Sequence, residues 1–177
     1  MRKLKNDELD RLTLDEFKNS EKLPLVLVLD NVRSMNNVGS AFRTSDAFSI
    51  EKIYLCGITA QPPHREINKT ALGATESVDW EHVENTADLC KKLQQGGFKV
   101  LAVEQAEGSL SLESFKAEEG QKYALVFGNE VFGVDQEVVN IADECLEIPQ
   151  FGTKHSLNIS VSIGVVLWDL TSKIKFR

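Results

Sequence analysis

Short apolar runs that alternate with helical patterns are the feature that most constrains the fold of this chain. The apolar runs have the length and composition of buried strands, and they lie at residues 25–29, 52–56, 98–103, 123–127 and 145–148. Helical spacing of apolar residues occurs between and after them, at residues 37–48, 86–95, 136–142 and 156–170. This alternation predicts an α/β domain with a mostly parallel sheet flanked by helices.

The organisation of the chain is predicted to be simple. Its 177 residues fit one ordinary domain, or one domain with a short appendage. Residues 7–20 have the pattern of an amphipathic helix, so we expect an N-terminal helical extension over 1–22 and the main domain over 23–177. Gly96 and Gly97 are expected to end the helix at 86–95.

Composition and cysteine usage exclude several classes of protein. Hydrophobic residues make up 42% of the chain and charged residues 27%, which is the balance of a soluble globular protein. No segment is apolar for long enough to span a bilayer, and the N-terminus lacks the apolar centre of a secretory signal. The three cysteines, Cys56, Cys90 and Cys145, show no metal-ligand spacing and are expected to be buried thiols. These observations predict a cytoplasmic protein.

The charge of the chain leaves the nature of its partners open. A formal net charge of −7 disfavours nucleic-acid binding, because cationic side chains that neutralise phosphates normally dominate that affinity. Basic residues nevertheless collect at the two ends of the chain: Arg2, Lys3, Lys5, Lys173, Lys175 and Arg177. They form either a local basic surface that contacts RNA or two solvated tails.

Familiar catalytic and nucleotide-binding motifs do not occur. The chain has neither GxGxxG nor GxxxxGK[ST], so ordinary dinucleotide and P-loop sites are disfavoured. It also lacks the GxSxG of serine hydrolases and the HExxH of zinc proteases. The isolated His64, His82 and His155 are expected to be surface or structural residues, and we expect no metal site.

The first unusual segment is NNVGSAFRT at residues 36–44. Helical spacing puts four residues on one face, which should pack on the sheet: Val38, Ala41, Phe42 and Ser45. Asn36, Gly39 and Arg43 fall on a separate stripe, and a glycine one turn before Arg43 should leave room for a ligand beside the guanidinium. The alternative is a capped surface helix with a solvated arginine.

The second segment, ALVFGNEVFGV at residues 124–134, is a buried strand that runs into a loop bounded by glycines. Gly128 should let the backbone approach a ligand closely. Ligands of open α/β sheets bind beyond the carboxyl ends of strands, where this loop and its Glu130 should lie. A tight structural turn with an exposed Glu130 is the alternative.

The third segment covers residues 146–168, LEIPQFGTKHSLNISVSIGVVLW. Its helix carries apolar residues all round, which predicts burial on several sides. Ser156 is either the N-cap of this helix or a site residue. Asn158 is expected inside the first turn, where its amide needs a partner and suits a ligand contact.

These three segments, in this order, resemble the three motifs of the SpoU family within the SPOUT methyltransferases, over about residues 24–170. The resemblance implies a parallel sheet whose C-terminal part forms a deep trefoil knot, and a homodimer whose active sites draw on both subunits. It also implies transfer of a methyl group from S-adenosylmethionine to a ribose 2′-hydroxyl of RNA. A chain of this length should have no room for an added RNA-binding domain, which favours tRNA somewhat over rRNA by analogy.

The resemblance also assigns residues. Arg43 would be the main catalytic residue, and four others would arrange the substrate and loops around it: Asn37, Glu130, Ser156 and Asn158. The cofactor would lie among Val103, Glu104, Gly128, Asn129, Ile148, Pro149, Ser156 and Leu157, where backbone groups would contact the adenine. A cofactor without phosphates needs no glycine-rich cradle. Because a guanidinium stays protonated, we expect Arg43 to clamp an RNA phosphate and stabilise the developing alkoxide rather than act as a base.

Two other functions stay open at this point. One is a knotted RNA-binding protein without catalytic activity, and the other is a methyltransferase that acts on a nucleobase or a non-RNA acceptor. The residues determine neither the RNA, nor the modified nucleotide, nor the group that accepts the proton.

Overall fold

Seven strands and seven α-helices occur in the computed structural model, which describes residues 1–5 and 8–176. The strands are β1 (Leu23–Asp30), β2 (Ile50–Cys56), β3 (Trp80–Val83), β4 (Phe98–Val103), β5 (Leu110–Ser111), β6 (Lys122–Phe127) and β7 (Glu144–Glu147). The helices are α1 (Leu14–Asn19), α2 (Met35–Ala47), α3 (Arg65–Ala71), α4 (Ala74–Ser77), α5 (Thr86–Gln95), α6 (Gln136–Ile141) and α7 (Ile159–Lys175), and a 3-10 turn covers Leu112–Ser114.

All seven strands join one parallel sheet in the order β3-β2-β1-β6-β4-β7-β5. The side chains of β1 are buried on both faces of the sheet. Its Leu25, Leu27 and Leu29 belong to the core beneath α2, α3 and α7, whereas Val26 and Val28 belong to a second core beneath α5 and α6. A parallel strand buried on both faces must be apolar at successive positions, as this one is. The predicted α/β class with flanked parallel sheet is confirmed.

Most predicted elements are present, and the bounds of α5 and β4 match the prediction. The expected helix at 7–20 is wrong in extent, because α1 begins at Leu14 after a capping box formed by Thr13 and Glu16. Residue 7 lies outside the described residues. The sequence reasoning missed α3, α4, β3 and the short β5.

The start of α7 also differs from the prediction. Asn158 is the N-cap residue, with its side chain accepting a hydrogen bond from Ser160 N–H at 2.9 Å, so Ser156 precedes the helix and does not cap it. Nor is α7 buried all round in this chain. One face packs on the sheet, but Val161, Val165 and Trp168 are 51%, 39% and 60% exposed.

Gly39 has a different role from the one expected. A Cβ at this position would lie 2.1 Å from Thr70 Oγ1 and 2.2 Å from the carbonyl oxygen of Ile67, so the glycine allows α3 to pack against α2. The predicted core face of α2 is confirmed, since its four residues are fully buried: Val38, Ala41, Phe42 and Ser45. The space beside Gly39 is therefore filled by the protein and not left for a ligand.

The cysteines agree with the prediction in part. Cys56 and Cys90 are buried, and burial raises the pKa of each thiol to about 12. Cys145 is only half-buried, and its thiol donates to the Glu104 carbonyl at 3.4 Å. Among the described residues, no helix combines the length and the apolar character needed to cross a lipid bilayer.

Candidate functional site

The carboxyl ends of four neighbouring strands, β1, β6, β4 and β7, define one edge of the sheet. Because the strands are parallel, the loops that follow them leave from this same edge. These loops comprise residues 31–34, 128–135, 104–109 and 148–158. They contain most of the residues that the family resemblance singles out.

Glu130 links the loop after β6 to the start of α2. Its carboxylate accepts hydrogen bonds of 3.0 Å from the backbone N–H groups of Arg33 and Ser34 and from Asn37 Nδ2. Burial raises the pKa of Glu130, but these hydrogen bonds outweigh it, and the pKa lies below the usual value of a glutamate. Glu130 is thus held as a carboxylate that positions two segments, which makes it a weak proton acceptor.

Asn37 connects Glu130 to Asn158 at the start of α7. Its Oδ1 accepts a hydrogen bond from Asn158 Nδ2 at 3.3 Å while its own Nδ2 donates to Glu130. Asn37, Glu130 and Asn158 therefore form one chain of contacts across three segments that lie far apart in sequence. Ser156 is exposed nearby and makes no hydrogen bond with the described residues.

The turn at residues 129–133 is organised from within. Asn129 Oδ1 accepts from the N–H groups of Val131 (2.8 Å) and Phe132 (3.2 Å), and Asn129 Nδ2 donates to the Asn31 carbonyl at 2.8 Å. A Cβ at Gly128 would lie 2.0 Å from Val134 N, so this glycine lets its own loop fold back. That is the close approach of Gly128 within the protein, and its contact with a ligand stays a prediction.

Glu104 joins the loop after β4 to the same turn. Its carboxylate accepts from Val134 N–H at 3.0 Å and from Gln105 N–H at 2.8 Å, and its own N–H donates to the carbonyl of Leu146 at the end of β7. The neighbouring Val103 is half-buried. Glu104 thus ties together the loops that follow β4, β6 and β7.

A buried carboxylate that sequence reasoning missed supports these loops from below. Asp30, at the end of β1, is 1% exposed. It accepts hydrogen bonds from Thr86 Oγ1 at 2.6 Å, Asn31 Nδ2 at 2.9 Å and Asp135 N–H at 2.9 Å. The sequence contained one signal for this role, which is an aspartate directly after the apolar residues of a strand. If such a carboxylate is buried, it needs hydrogen-bond donors from the protein.

Arg43 is placed apart from the other predicted catalytic residues within this chain. It is exposed and makes neither a hydrogen bond nor a salt bridge with the described residues. It lies six residues after Asn37, about 9 Å along the helix axis. Asn37 of α2 contacts Asn158 just before α7, and Phe48 just after α2 lies against Trp168 of α7, whereas Arg43 belongs to the flank of α2 that carries Gly39 and faces α3.

The loop after β7 has the groups needed to hold an adenine ring. Ile148 and Pro149 are half-buried apolar residues at its start. Within the described part of the chain, the backbone of residues 150–157, including Leu157, has no hydrogen-bond partner. Free N–H and C=O groups beside apolar side chains fit a neutral, planar heterocycle that offers both donors and acceptors.

Replacing Glu130 with Gln should loosen this site. A Gln amide would turn an N–H toward a backbone N–H donor, so we expect the free energy of unfolding to fall by about 1–2 kcal/mol. The folded-state pKa of Glu130 is lowered, so its contribution to stability is present above the usual glutamate pKa and is lost as the pH falls through the lower value. Urea unfolding of the wild-type and variant chains should therefore differ at neutral pH and converge in acid.

Glu113→Gln is a matched control for this variant. Glu113 is exposed and has no hydrogen-bond partner among the described residues, so its replacement should leave the free energy of unfolding unchanged. Equal stability of the Glu130 and Glu113 variants at neutral pH would show that the Glu130 contacts do not hold the loop.

Comparison with known families gives a clear match. The model of the SpoU rRNA Methylase family matches residues 24–168. A tRNA (guanosine(18)-2'-O)-methyltransferase of Aquifex aeolicus is 30% identical over 157 residues, which are 88% of this chain and 72% of that protein. A 23S rRNA (guanosine-2'-O-)-methyltransferase of Neisseria meningitidis is 29% identical over 153 residues, which are 86% of this chain but only 60% of that protein.

A solved structure extends the likeness to three dimensions. The AdoMet-bound rRNA methyltransferase from Sinorhizobium meliloti superposes with a TM-score of 0.79 and 26% sequence identity. The superposition covers 89% of this chain and 59% of that one. This chain thus spans less than two thirds of the length of either ribosomal RNA enzyme. The residues matched by the family model, 24–168, contain all three segments that carry the candidate site.

Proposed function

The chain belongs to the SpoU rRNA methylase family, and from this membership we propose that it transfers a methyl group from S-adenosylmethionine to a ribose 2′-hydroxyl of RNA. The observation that carries the proposal is the contact chain Glu130–Asn37–Asn158, which joins one residue from each of the three motifs. The names of the relatives support it, since both describe guanosine 2′-O-methylation of an RNA.

The cofactor would lie against the loops after β4, β6 and β7. Ile148, Pro149 and the free backbone of residues 150–157 would hold the adenine, with Ser156 and Leu157 closing one side. The other side would be formed by Val103, Glu104, Gly128 and Asn129. The side chains of Glu104 and Asn129 shape the loops, so the backbone would make the contacts with the ligand there. When bound, S-adenosylmethionine supplies a methyl group activated by a sulfonium.

The residues of the chain would then orient the ribose. Transfer to an oxygen requires the attacking oxygen to be held in line with the bond that breaks, so positioning supplies much of the rate. Arg43 would bind an RNA phosphate beside the target ribose and stabilise the negative charge that develops on the 2′-oxygen. Glu130 and Asn37 would hold the loop after β6 against the start of helix α2, and Asn158 would fix the start of α7. No step in this scheme needs a metal ion.

We also propose a homodimer with composite active sites. Two observations support it: Arg43 is separated from Glu130 and Asn158 within one chain, and α7 exposes an apolar face. We call this face the α7 stripe; it consists of Val161, Val165 and Trp168. Covering the stripe with a second copy would bury apolar surface and bring Arg43 of one subunit toward the loops of its partner.

The register of β7 supports a C-terminal trefoil knot. Leu146 pairs with Val103 of β4 on one side and with Leu110 of β5 on the other. Residues 104–109 must therefore cross the end of β7, and we propose that the chain that continues toward α7 passes beneath this crossing. The end of α7 returns to the far side, where Lys173 Nζ donates to the Leu112 carbonyl at 2.6 Å. Threaded connections of this kind are rare in proteins.

Three further assignments complete the proposal. Residues 1–22 would form an appendage, since α1 has no buried residue and the sheet begins at Leu23. The cytoplasm is the proposed location, because free thiols and an RNA substrate both fit a reducing compartment. Either tRNA or rRNA would be the substrate, since the relatives include enzymes named for each.

The proposal is tested by incubating the protein with labelled S-adenosylmethionine and, separately, unfractionated tRNA and ribosomal RNA. We expect label in one RNA and, after nuclease digestion, in a 2′-O-methyl nucleoside. Label on a base nitrogen or carbon would identify a nucleobase methyltransferase instead. RNA binding without transfer would identify a non-catalytic relative.

A further inference from the structure

An aromatic side chain in the turn at residues 129–133 is not used by the fold. Phe132 is 85% exposed, and the neighbouring Val131 is 67% exposed. The hydrogen bond that holds Phe132 uses only its backbone N–H, which donates to Asn129 Oδ1 at 3.2 Å. Tight turns usually carry glycine, proline, asparagine, aspartate or serine at such positions. The packing of this chain therefore gives no reason for a phenylalanine here.

The turn that carries Phe132 is held at both ends and in the middle. Asn129 and Gly133 exchange two backbone hydrogen bonds of 2.9 Å. A Cβ at Gly133 would lie 2.1 Å from Glu104 Oε2, so the end of the turn packs directly against Glu104. The Glu130 carboxylate ties the middle of the turn to the start of α2. Because these contacts already fix the backbone, an exposed ring on this turn loses little further freedom when it binds a ligand.

Phe132 lies close to the place proposed for the target ribose. It is two residues after Glu130, so the Cα atoms of the two residues are at most about 7 Å apart. Glu130 accepts a hydrogen bond from Asn37, which accepts one in turn from Asn158. The base of a nucleotide is bonded to the carbon next to the one that carries the 2′-hydroxyl. A target ribose held at these contacts would therefore bring its base close to the turn.

The other exposed aromatic residues of the described chain lack this combination of a fixed backbone and a place at the site. Phe151 is 98% exposed, but its loop has no backbone hydrogen bond within residues 1–5 and 8–176 that would hold the ring in place. Trp168 belongs to the α7 stripe, which the proposed homodimer would cover. Phe176 lies beyond the other end of α7, about 27 Å along the helix axis from Asn158.

The loops of the candidate site offer RNA little electrostatic attraction. Residues 31–34, 104–109, 128–135 and 148–158 carry two cations, Arg33 and Lys154, and four carboxylates, Glu104, Glu107, Glu130 and Asp135. Phosphate contacts, which normally dominate RNA affinity, are therefore few at these loops. An uncharged contact with a base avoids the repulsion, because stacking acts through the π faces of the base and of an aromatic side chain.

The basic residues at the chain ends do not change this balance. Arg2 is paired with Glu8 at 2.6 Å, and Lys173 is paired with Asp169 at 2.6 Å. Arg177 lies outside the described residues. Three further lysines are exposed but lie on segments that join none of the candidate-site loops: Lys3, Lys5 and Lys175.

We propose that Phe132 stacks on the base of the nucleotide whose ribose is methylated. The inference rests on the proposed function, because it takes RNA as the ligand and the candidate site as the place of the ribose. A base that is paired and stacked within an RNA helix does not offer its face to a side chain. The substrate would thus be an unpaired nucleotide, in a loop or a bulge, and the ring would accept any base rather than select one.

Phe132→Ala tests the proposal, with Phe176→Ala as the matched control, since Phe176 is also an exposed phenylalanine. The alanine keeps the N–H that donates to Asn129, so the turn should keep its form. Affinity for the RNA that the wild-type chain methylates would be measured by fluorescence anisotropy over a series of salt concentrations. A second RNA, which lacks only the base of the mapped target nucleotide, would be measured in parallel. Cofactor affinity and sedimentation velocity would also be recorded.

We expect Phe132→Ala to weaken binding of the intact RNA about tenfold, which is the usual effect of losing one stacked base. The salt dependence of log Kd should stay unchanged, because no cation is removed. Phe132→Trp should keep the affinity, whereas Phe132→Leu should not, since leucine is apolar but has no ring that stacks. On the RNA that lacks the target base, Phe132→Ala and wild type should bind equally. Phe176→Ala should match wild type in every measurement.

The outcomes separate this inference from the proposed function. Methylation by wild type together with equal RNA affinity of the two alanine variants would overturn the inference alone. So would wild-type affinity in Phe132→Leu, or an equal loss of affinity for the RNA that lacks the target base. Altered sedimentation of Phe132→Ala would identify a second copy of the chain as the partner of the ring, and lost cofactor affinity would identify a structural role; either result would overturn the inference. A wild-type chain that neither binds nor methylates tRNA or rRNA would overturn both.

Discussion

Arg43→Ala is expected to reduce the rate of methyl transfer by about 10²–10³-fold, which is the usual cost of removing one group that stabilises charge developing in a transition state. The fold should be unaffected, because the Arg43 side chain is exposed and contacts no partner among the described residues. Single-turnover transfer of labelled methyl, with RNA and enzyme in excess over cofactor, would measure the chemical step apart from product release.

Arg43→Lys separates charge from geometry at the same position. A lysine keeps the positive charge but cannot form two parallel hydrogen bonds with a phosphate, so most of the rate should still be lost. Arg11→Ala is the control, since Arg11 is also exposed and unpaired within the described chain but lies in the N-terminal segment. Near-normal turnover and RNA affinity in Arg43→Lys would contradict the phosphate clamp.

The sequence predicted the sheet and most helices because their signals are local. The Gly96-Gly97 pair ends α5, and the apolar run after it is β4, so these bounds were confirmed. The missed elements have weaker signals. Strand β3 is half-buried at the edge of the sheet, and α3 is capped by His64, which is not among the usual N-cap residues.

Gly39 and Gly128 show what cannot be predicted from the local sequence. Gly39 was expected to leave room for a ligand and Gly128 to let the backbone approach one, but the sequence does not say what lies beside either position. In the structure α3 fills the space at Gly39, and residues 133–134 fill the space at Gly128. The partner of Gly39 is a separate helix, which only tertiary structure identifies, whereas Gly128 is met by the backbone of its own loop.

The candidate site also contains residues that sequence reasoning selected and residues that only the structure reveals. Motif resemblance selected Asn37, Glu130 and Asn158, and the structure joins them by hydrogen bonds. It did not select Asp30 or Asn31, whose roles depend on distant partners and, for Asn31, on a left-handed backbone with φ of 55°. Resemblance thus selected residues whose roles toward a ligand stay predictions, while Asp30 and Asn31 emerge only from the contacts.

Trp168→Glu is expected to dissociate the proposed homodimer and, with it, to remove most activity. Trp168 belongs to the α7 stripe and is 60% exposed. The centroid of its ring lies 6.4 Å from the centroid of the Phe48 ring. A buried tryptophan at an interface typically contributes 2 kcal/mol or more, and a symmetric dimer carries two copies, so the dimer Kd should rise about 10³-fold. Sedimentation velocity over a range of protein concentrations would measure the change.

Leu72→Glu is the control for Trp168→Glu, because Leu72 is a 65% exposed apolar residue at the end of α3 and its replacement adds the same charge. It should remain a dimer. If the active site is composite, the activity of Trp168→Glu should recover as its concentration is raised, since dimerisation would bring Arg43 of one subunit to the Glu130–Asn37–Asn158 contacts of the other. A monomeric Trp168→Glu with wild-type turnover at low concentration would instead place the complete site within one chain, and Arg43 would then have to reach the substrate from the α3 side of its own helix.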